Sequence, residues 1–194
     1  MNTIQDDDAP DLTIPLAARL RAEREERGWS IAELAERSGV SRAMISKVER
    51  AEASPTAALL GRLAGALGLT LSTLLARAEG DAGQGGRLAR AAAQPVWRDP
   101  ETGYLRRAVT PPGAQPELVR VELPPGARVS YPAASYRDWS HAIWVLEGEL
   151  LFHEGSIRHQ LAAGDCLVLG PPLDCAFENA SGRPCAYLVV LAGR

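Results

Sequence analysis

Apolar positions along the chain change their spacing once, near residue 80. Before that point leucine and alanine recur every three or four residues, the period of a helix with one buried face. Leu16 and Leu20 open the first such stretch, and Gly28 stops it. Ser30 followed by Glu33 makes a capping-box pattern that starts a second helix, Ile31 to Arg37. Gly39 closes that helix, and Ser41 is placed to cap a third, Arg42 to Arg50. Ser54-Pro55 sets a cap and then a proline at the first turn of a fourth. Leu59, Leu60, Leu63 and Leu67 share one face of it before Gly68, and Thr70 caps a short fifth helix holding Leu74 and Leu75.

Beyond residue 80 the pattern shortens to the period of strands broken by Gly and Pro. Leu118–Leu123 precedes Pro124-Pro125-Gly126, and extended segments follow at Ile143–Leu146, Leu150–Phe152, Cys166–Leu169, Cys175–Glu178 and Ala186–Leu191. Such spacing predicts an all-β sandwich or barrel. The stretch Glu79-Gly80-Asp81-Ala82-Gly83-Gln84-Gly85-Gly86 has the composition of a flexible linker. The predicted organisation is two domains: a disordered tail at 1–11, a five-helix all-α domain at 12–78, a linker at 79–95 and an all-β domain at 96–194.

Composition narrows the partners. The net charge is −3, but residues 11–78 hold ten Lys/Arg against eight Asp/Glu, while residues 79–194 hold eleven against thirteen. A mildly basic unit joined to an acidic one suits a small nucleic-acid reader with a second domain of another purpose. No apolar run approaches the roughly 20 residues of a membrane span. Asp6, Asp7 and Asp8 at the start do not suit a secretion signal, so a cytoplasmic location is expected. Three cysteines without CxxC spacing argue against a disulfide framework.

Two short helices joined at a glycine turn, with a polar outer face on the third helix, match helix-turn-helix docking. The stretch RGWSIAELAERSGVSRAMISKVERAEASPTAALLGRLAGALGLTLSTLL resembles the phage-repressor-like, XRE-type helix-turn-helix family from Leu16 to about Ala76. That resemblance implies that the third helix enters the major groove of double-stranded DNA. Arg42 and Ala43 then face base edges, with Lys47 one turn on, and Ser41, Met44, Ser46 and Arg50 lie near phosphates. Ala35, Val40, Ile45 and Val48 are expected in the core. The resemblance also implies a structural Arg24–Glu49 pair. Three positions depart from the family pattern: Ile31 stands where Gln is frequent, Ala51 where Gly is frequent, and Glu23 where Leu is common. A left-handed Ala51 costs about 1 kcal/mol, and Glu23 suggests a less deeply packed first helix.

The second half resembles a cupin, a jelly-roll barrel, through Pro125-Gly126-Ala127, Val145-Leu146-Glu147-Gly148, Gly164-Asp165 and Asn179. Aligned on the family's metal motifs, His141 takes the glutamate position and Cys175 the last histidine. The paired-histidine positions fall among Ala134, Ser135, Tyr136 and Arg137. The usual ligand set is therefore absent, and no cofactor is expected. In place of a metal centre the resemblance leaves an effector cavity lined by Tyr136, His141, Ile143, Cys175 and Phe177. A divalent metal at His141 and Cys175 is the alternative. His153 and His159 read as exposed, and Cys166 and Cys185 as small buried hydrophobes. Strand alternation from an inward His141 points Trp144 outward.

Domain order adds to both resemblances: the chain looks like the XRE–cupin regulators. The expected function is a sequence-specific, non-enzymatic transcriptional regulator that senses a small-molecule effector. As a homodimer it would read a pseudo-palindromic operator with half-sites ~34 Å apart. Rivals are a metal-dependent cupin enzyme carrying a helical domain, and a redox switch at Cys175.

Overall fold

The computed structural model describes residues 12–80, 87–136 and 139–193, without the side chain of Tyr136. The expected tail at 1–11, most of the glycine linker, and Arg137 lie outside the described residues. Five helices come first: α1 (Thr13–Glu26), α2 (Ile31–Ser38), α3 (Arg42–Glu49), α4 (Ala57–Ala66) and α5 (Leu71–Ala78). Their starts follow the side chains available. Ser30 and Glu33 form the full capping box on α2, Ser41 accepts from Met44 N–H, and Thr70 accepts from Thr73 N–H. Gly39 ends α2 in the left-handed region, at φ 67°, where a Cβ is costly.

One predicted cap is wrong. Thr56, not Ser54, caps α4, accepting from Leu59 N–H, and the N–H of Ala57 goes instead to the Asp99 carboxylate at 2.8 Å. Pro55 thus precedes the cap, and Ser54 Oγ lies 3.5 Å from Thr13 Oγ1.

Leu16, Leu20, Leu34, Ile45, Leu60, Leu63 and Leu74 close the helical core. Glu23 is also fully buried there, contrary to a looser α1. It accepts from Arg19 at 2.6 Å, Arg27 at 2.7 Å and Arg77 at 2.6 Å, and Arg27 further donates to the Leu67 carbonyl. A carboxylate at the leucine position therefore knits α1 to α5 and to the end of α4. The expected Arg24–Glu49 pair is present, bidentate, with both contacts at 2.8 Å. Ala51 is left-handed, at φ 56°.

The β half holds ten strands: β1 (Val96–Arg98), β2 (Leu105–Ala108), β3 (Glu117–Leu123), β4 (Arg128–Tyr131), β5 (Trp139–Glu147), β6 (Glu149–Glu154), β7 (Ile157–Ala162), β8 (Cys166–Val168), β9 (Cys175–Glu178) and β10 (Cys185–Gly193). They form two antiparallel sheets, β1-β2-β3-β10-β5-β8 and β4-β9-β6-β7, rather than one closed ring of hydrogen-bonded strands. The sheets face each other: Phe177 of β9 stacks on Tyr187 of β10 at 5.4 Å between ring centroids. Asn179 is fully buried and bonds the Leu123 and Arg183 carbonyls, tying the turn after β9 to the end of β3.

Three side-chain expectations fail in this half. Cys166 is exposed because it sits on edge strand β8, opposite the outward Trp144. His153 and His159 are half-buried rather than exposed. His153 Nε2 lies 2.7 Å from Glu178, and His159 Nε2 lies 3.2 Å from Glu154.

One hydrophobic core runs through both halves, from Leu12 to Leu191. The seam consists of α4 and α5 against the sheets. Thr70 and Thr73 hydroxyls donate to buried Glu117, both at 2.9 Å. Arg106 of β2 donates to Ser72, and Asp99 holds the start of α4. Gly61 and Gly65 allow the approach. A Cβ on Gly61 would lie 2.6 Å from Tyr131 Cδ1, and one on Gly65 would lie 2.7 Å from the Ser135 Cα.

Candidate functional site

Two features stand out for chemistry: the outer face of α3 and a cavity between the sheets at the seam. On α3 the period of the helix separates the two faces. Ile45 and Val48 are buried, while Ser41, Arg42, Ala43, Met44, Lys47 and Arg50 are exposed and Ser46 is half-buried. Buried Val40 and half-buried Ala35 pack behind them. Among the described residues, Arg42 and Lys47 make no ion pair. Arg50 is engaged: it donates to Glu52 at 2.7 and 2.8 Å and to Ser46 at 2.6 Å. Glu52 was no part of the sequence reading, and its acidic partnership lowers the charge Arg50 offers to an anion. Half-buried Ile31 packs against the core from the first turn of α2.

The cavity has a volume of about 80 Å³ and gathers His141, Ile143, Cys175 and Phe177, four of the five residues picked from sequence. Sequence reasoning missed its other wall. Tyr104, Arg106, Tyr131 and Tyr187 line it from the sheets, and Gly61, Thr70 and Leu71 from the helices. The signal for the helical contribution was the pair Gly61 and Gly65, four apart on one face of an apolar helix. Tyr104 and Tyr131 hydroxyls are 2.9 Å apart. Burial pushes the phenols of Tyr104, Tyr131 and Tyr187 above their usual range, partly offset by the Arg106 charge. All three therefore remain neutral donors at physiological pH.

Among the described residues no three His, Cys, Asp or Glu side chains converge on a point where they could hold an ion. Nor, among those residues, is any single helix long and apolar enough to cross a membrane.

Fold and geometry define a class: a helix-turn-helix unit with an outward third helix, joined to two facing sheets around a cavity. Comparison with known proteins agrees. The helix-turn-helix family matches residues 20–74 and the cupin domain family matches residues 119–191. The HTH-type transcriptional regulator SutR of Escherichia coli (strain K12) is 45% identical over 60 residues, 31% of this chain and 34% of that protein. The chain thus matches about a third of the length of this curated relative. A crystal structure of an HTH_3 family transcriptional regulator from Vibrio cholerae shares the fold. Its TM-score is 0.77 at 19% identity, covering 94% of this chain and 97% of that one. The cupin domain of an XRE family transcriptional regulator from Enterobacter cloacae aligns at a TM-score of 0.43 and 16% identity, over 47% of this chain and 97% of that one. The chain carries an XRE-type helix-turn-helix domain joined to a cupin domain.

Proposed function

We infer that the protein is a sequence-specific DNA-binding transcriptional regulator, not an enzyme, whose cupin half is a jelly roll that senses a small effector. The observation that carries this reading is α3. It is capped by Ser41, seated on buried Ile45 and Val48, and turns Arg42 and Lys47 outward, neither in an ion pair among the described residues. Arg42 suits bidentate contact with a guanine edge, Ala43 an apolar contact with a thymine methyl, and Ser41, Met44, Ser46 and Arg50 suit the flanking phosphates. The organisation into residues 12–78 and 96–194, with a linker at 79–95, goes with this division of labour. The site of action is the cytoplasm.

The DNA-binding form is a homodimer on a pseudo-palindromic operator. Exposed apolar side chains on the cupin half support pairing there: Trp144 is 49% exposed and Val168 72% exposed, on adjacent strands β5 and β8. The effector cavity comprises His141, Ile143, Cys175 and Phe177.

Binding of labelled genomic fragments tests the reading. Arg42→Ala should relax sequence preference, and Arg50→Ala should weaken binding more evenly across sequences. Failure to retain any fragment at low salt refutes it. Stoichiometric iron in gently purified protein would instead favour the enzyme.

A further inference from the structure

The cavity wall has a distinctive chemistry. Among the described residues it is mostly apolar and aromatic, with one permanent cation, Arg106, and no Asp or Glu. Two carboxylates of the seam are already engaged: Asp99 by Ala57 and Thr102, and Glu117 by Thr70 and Thr73. Among the described residues Arg106 has no carboxylate partner, and its side chain bonds the neutral hydroxyls of Ser72 and Tyr104. A guanidinium at the edge of a desolvated space, with no counter-charge, favours an anion. A second observation is independent of charge. Ser135 Oγ lines the same cavity, is buried, and makes no hydrogen bond. Buried hydroxyls without partners are rare in folded proteins, and one facing a cavity has room for a partner there.

We propose that the cavity takes a small organic carboxylate with a short apolar body. The carboxylate pairs with Arg106, and the bonded Tyr104–Tyr131 hydroxyl pair has one proton left to donate beside it. The body lies against Ile143, Phe177 and Tyr187, and a polar substituent on the body meets Ser135. A volume of about 80 Å³ limits the ligand to a handful of non-hydrogen atoms. The inference rests on the sensor reading above, since it names the chemistry of that effector. It adds a route: the wall includes Gly61 on α4 and Leu71 on α5, and Arg106 is bonded to Ser72 on α5, so an occupant adjoins both helices of the seam.

The experiment is titration of the full chain, without DNA, with propionate and butyrate against propionamide and butyramide, read by tryptophan fluorescence and thermal shift. The carboxylates should bind at least about tenfold more tightly than the amides, a gap that one charge-assisted contact supplies. Arg106→Gln should erase the gap, Arg106→Lys should keep part of it, and Ser135→Ala should leave it intact. Equal affinity for acid and amide on the unaltered chain overturns the proposal, as does no binding of either carboxylate. That comparison decides the matter even if Arg106→Gln does not fold. Because these titrations contain no DNA, they read the cavity alone, and fragment retention without carboxylate reads the regulator proposal alone. A chain that retains DNA yet ignores carboxylates therefore sinks this inference and spares the other.

Discussion

Replacing Glu23 by Gln probes the most concentrated electrostatic contact in the helical half. The carboxylate is fully buried among Arg19, Arg27 and Arg77. Burial alone would raise its pKa, but hydrogen bonds from Arg77, Arg27 and Arg19 together outweigh that penalty and hold it at about 2, against an ordinary 4.5. A difference of that size corresponds to on the order of 3 kcal/mol favouring the folded state when the group is charged. Because the folded value is the lower one, this contribution is complete above pH 4.5. It drains away as pH falls from there towards 2. Glu23→Gln should therefore cost about 3 kcal/mol at pH 7, or roughly 6–12 °C in Tm for a unit of this size. The deficit should shrink steadily below pH 4.5.

Urea unfolding followed by far-UV circular dichroism at pH 7, 5, 4 and 3 measures both quantities. Glu23→Leu is the informative control. The three arginine side chains are 24%, 28% and 36% exposed, so their charged ends can turn to water once an apolar group fills the site. Leucine should then cost less than glutamine, whose amide leaves the guanidinium donors facing further N–H groups. A Gln variant as stable as the parent at pH 7, or one with an unchanged acid slope, refutes the argument.

Four further outcomes follow from single contacts. Ala51→Gly removes a Cβ from a left-handed residue at φ 56° and should raise stability by about 1 kcal/mol, read as a higher urea midpoint; a lower midpoint counts against it. Gly65→Ala places a methyl 2.7 Å from the Ser135 Cα and 2.8 Å from the Ala134 carbonyl, and should cost about 1–3 kcal/mol because backbone yields poorly; an unshifted midpoint means that the seam is looser than described. In thiol titration Cys166 should react first, while burial raises Cys185 to about 11 and delays it until unfolding; mass mapping of the labelled peptide distinguishes them. Glu52→Gln frees Arg50, so DNA affinity should rise and fall off more steeply with salt; an unchanged salt slope removes Arg50 from the phosphate contacts.

Local chemistry explains which parts of this structure were legible beforehand. Capping patterns at Ser30, Ser41 and Thr70 act within one turn, so reading them needs nothing remote, and all three helices start where the caps dictate. Thr56 was missed because the decisive partner of the α4 terminus, Asp99, is 42 residues away. Strand β2, Leu105-Arg106-Arg107-Ala108, lacks alternation, and its pairing with β3 makes it a strand. Strand β7 is an edge whose register comes from β6. The cavity followed the same rule: residues on β5 and β9 could be chosen from the motif, whereas Arg106 and Gly61 enter it only through the seam.

That seam sets the scale on which a cavity occupant could alter the presentation of α3. Asp99 with Ala57, Glu117 with Thr70 and Thr73, and Arg106 with Ser72 fix α4 and α5 to the sheets, and α3 packs within the same helical core. A ligand changes DNA affinity only by binding two arrangements of the seam unequally, and a tenfold effect requires about 1.4 kcal/mol of difference. One hydrogen bond to a charged group is worth roughly 1.5–3 kcal/mol. Drawing the Arg106 guanidinium from Ser72 to a ligand therefore matches the required energy without wholesale rearrangement. Because Ser72 is on α5 and Gly61 on α4, the perturbation begins on the helices that hold the DNA-reading unit in place. Ser72→Ala should in consequence uncouple the two events: carboxylate binding persists, and its effect on operator affinity falls towards none.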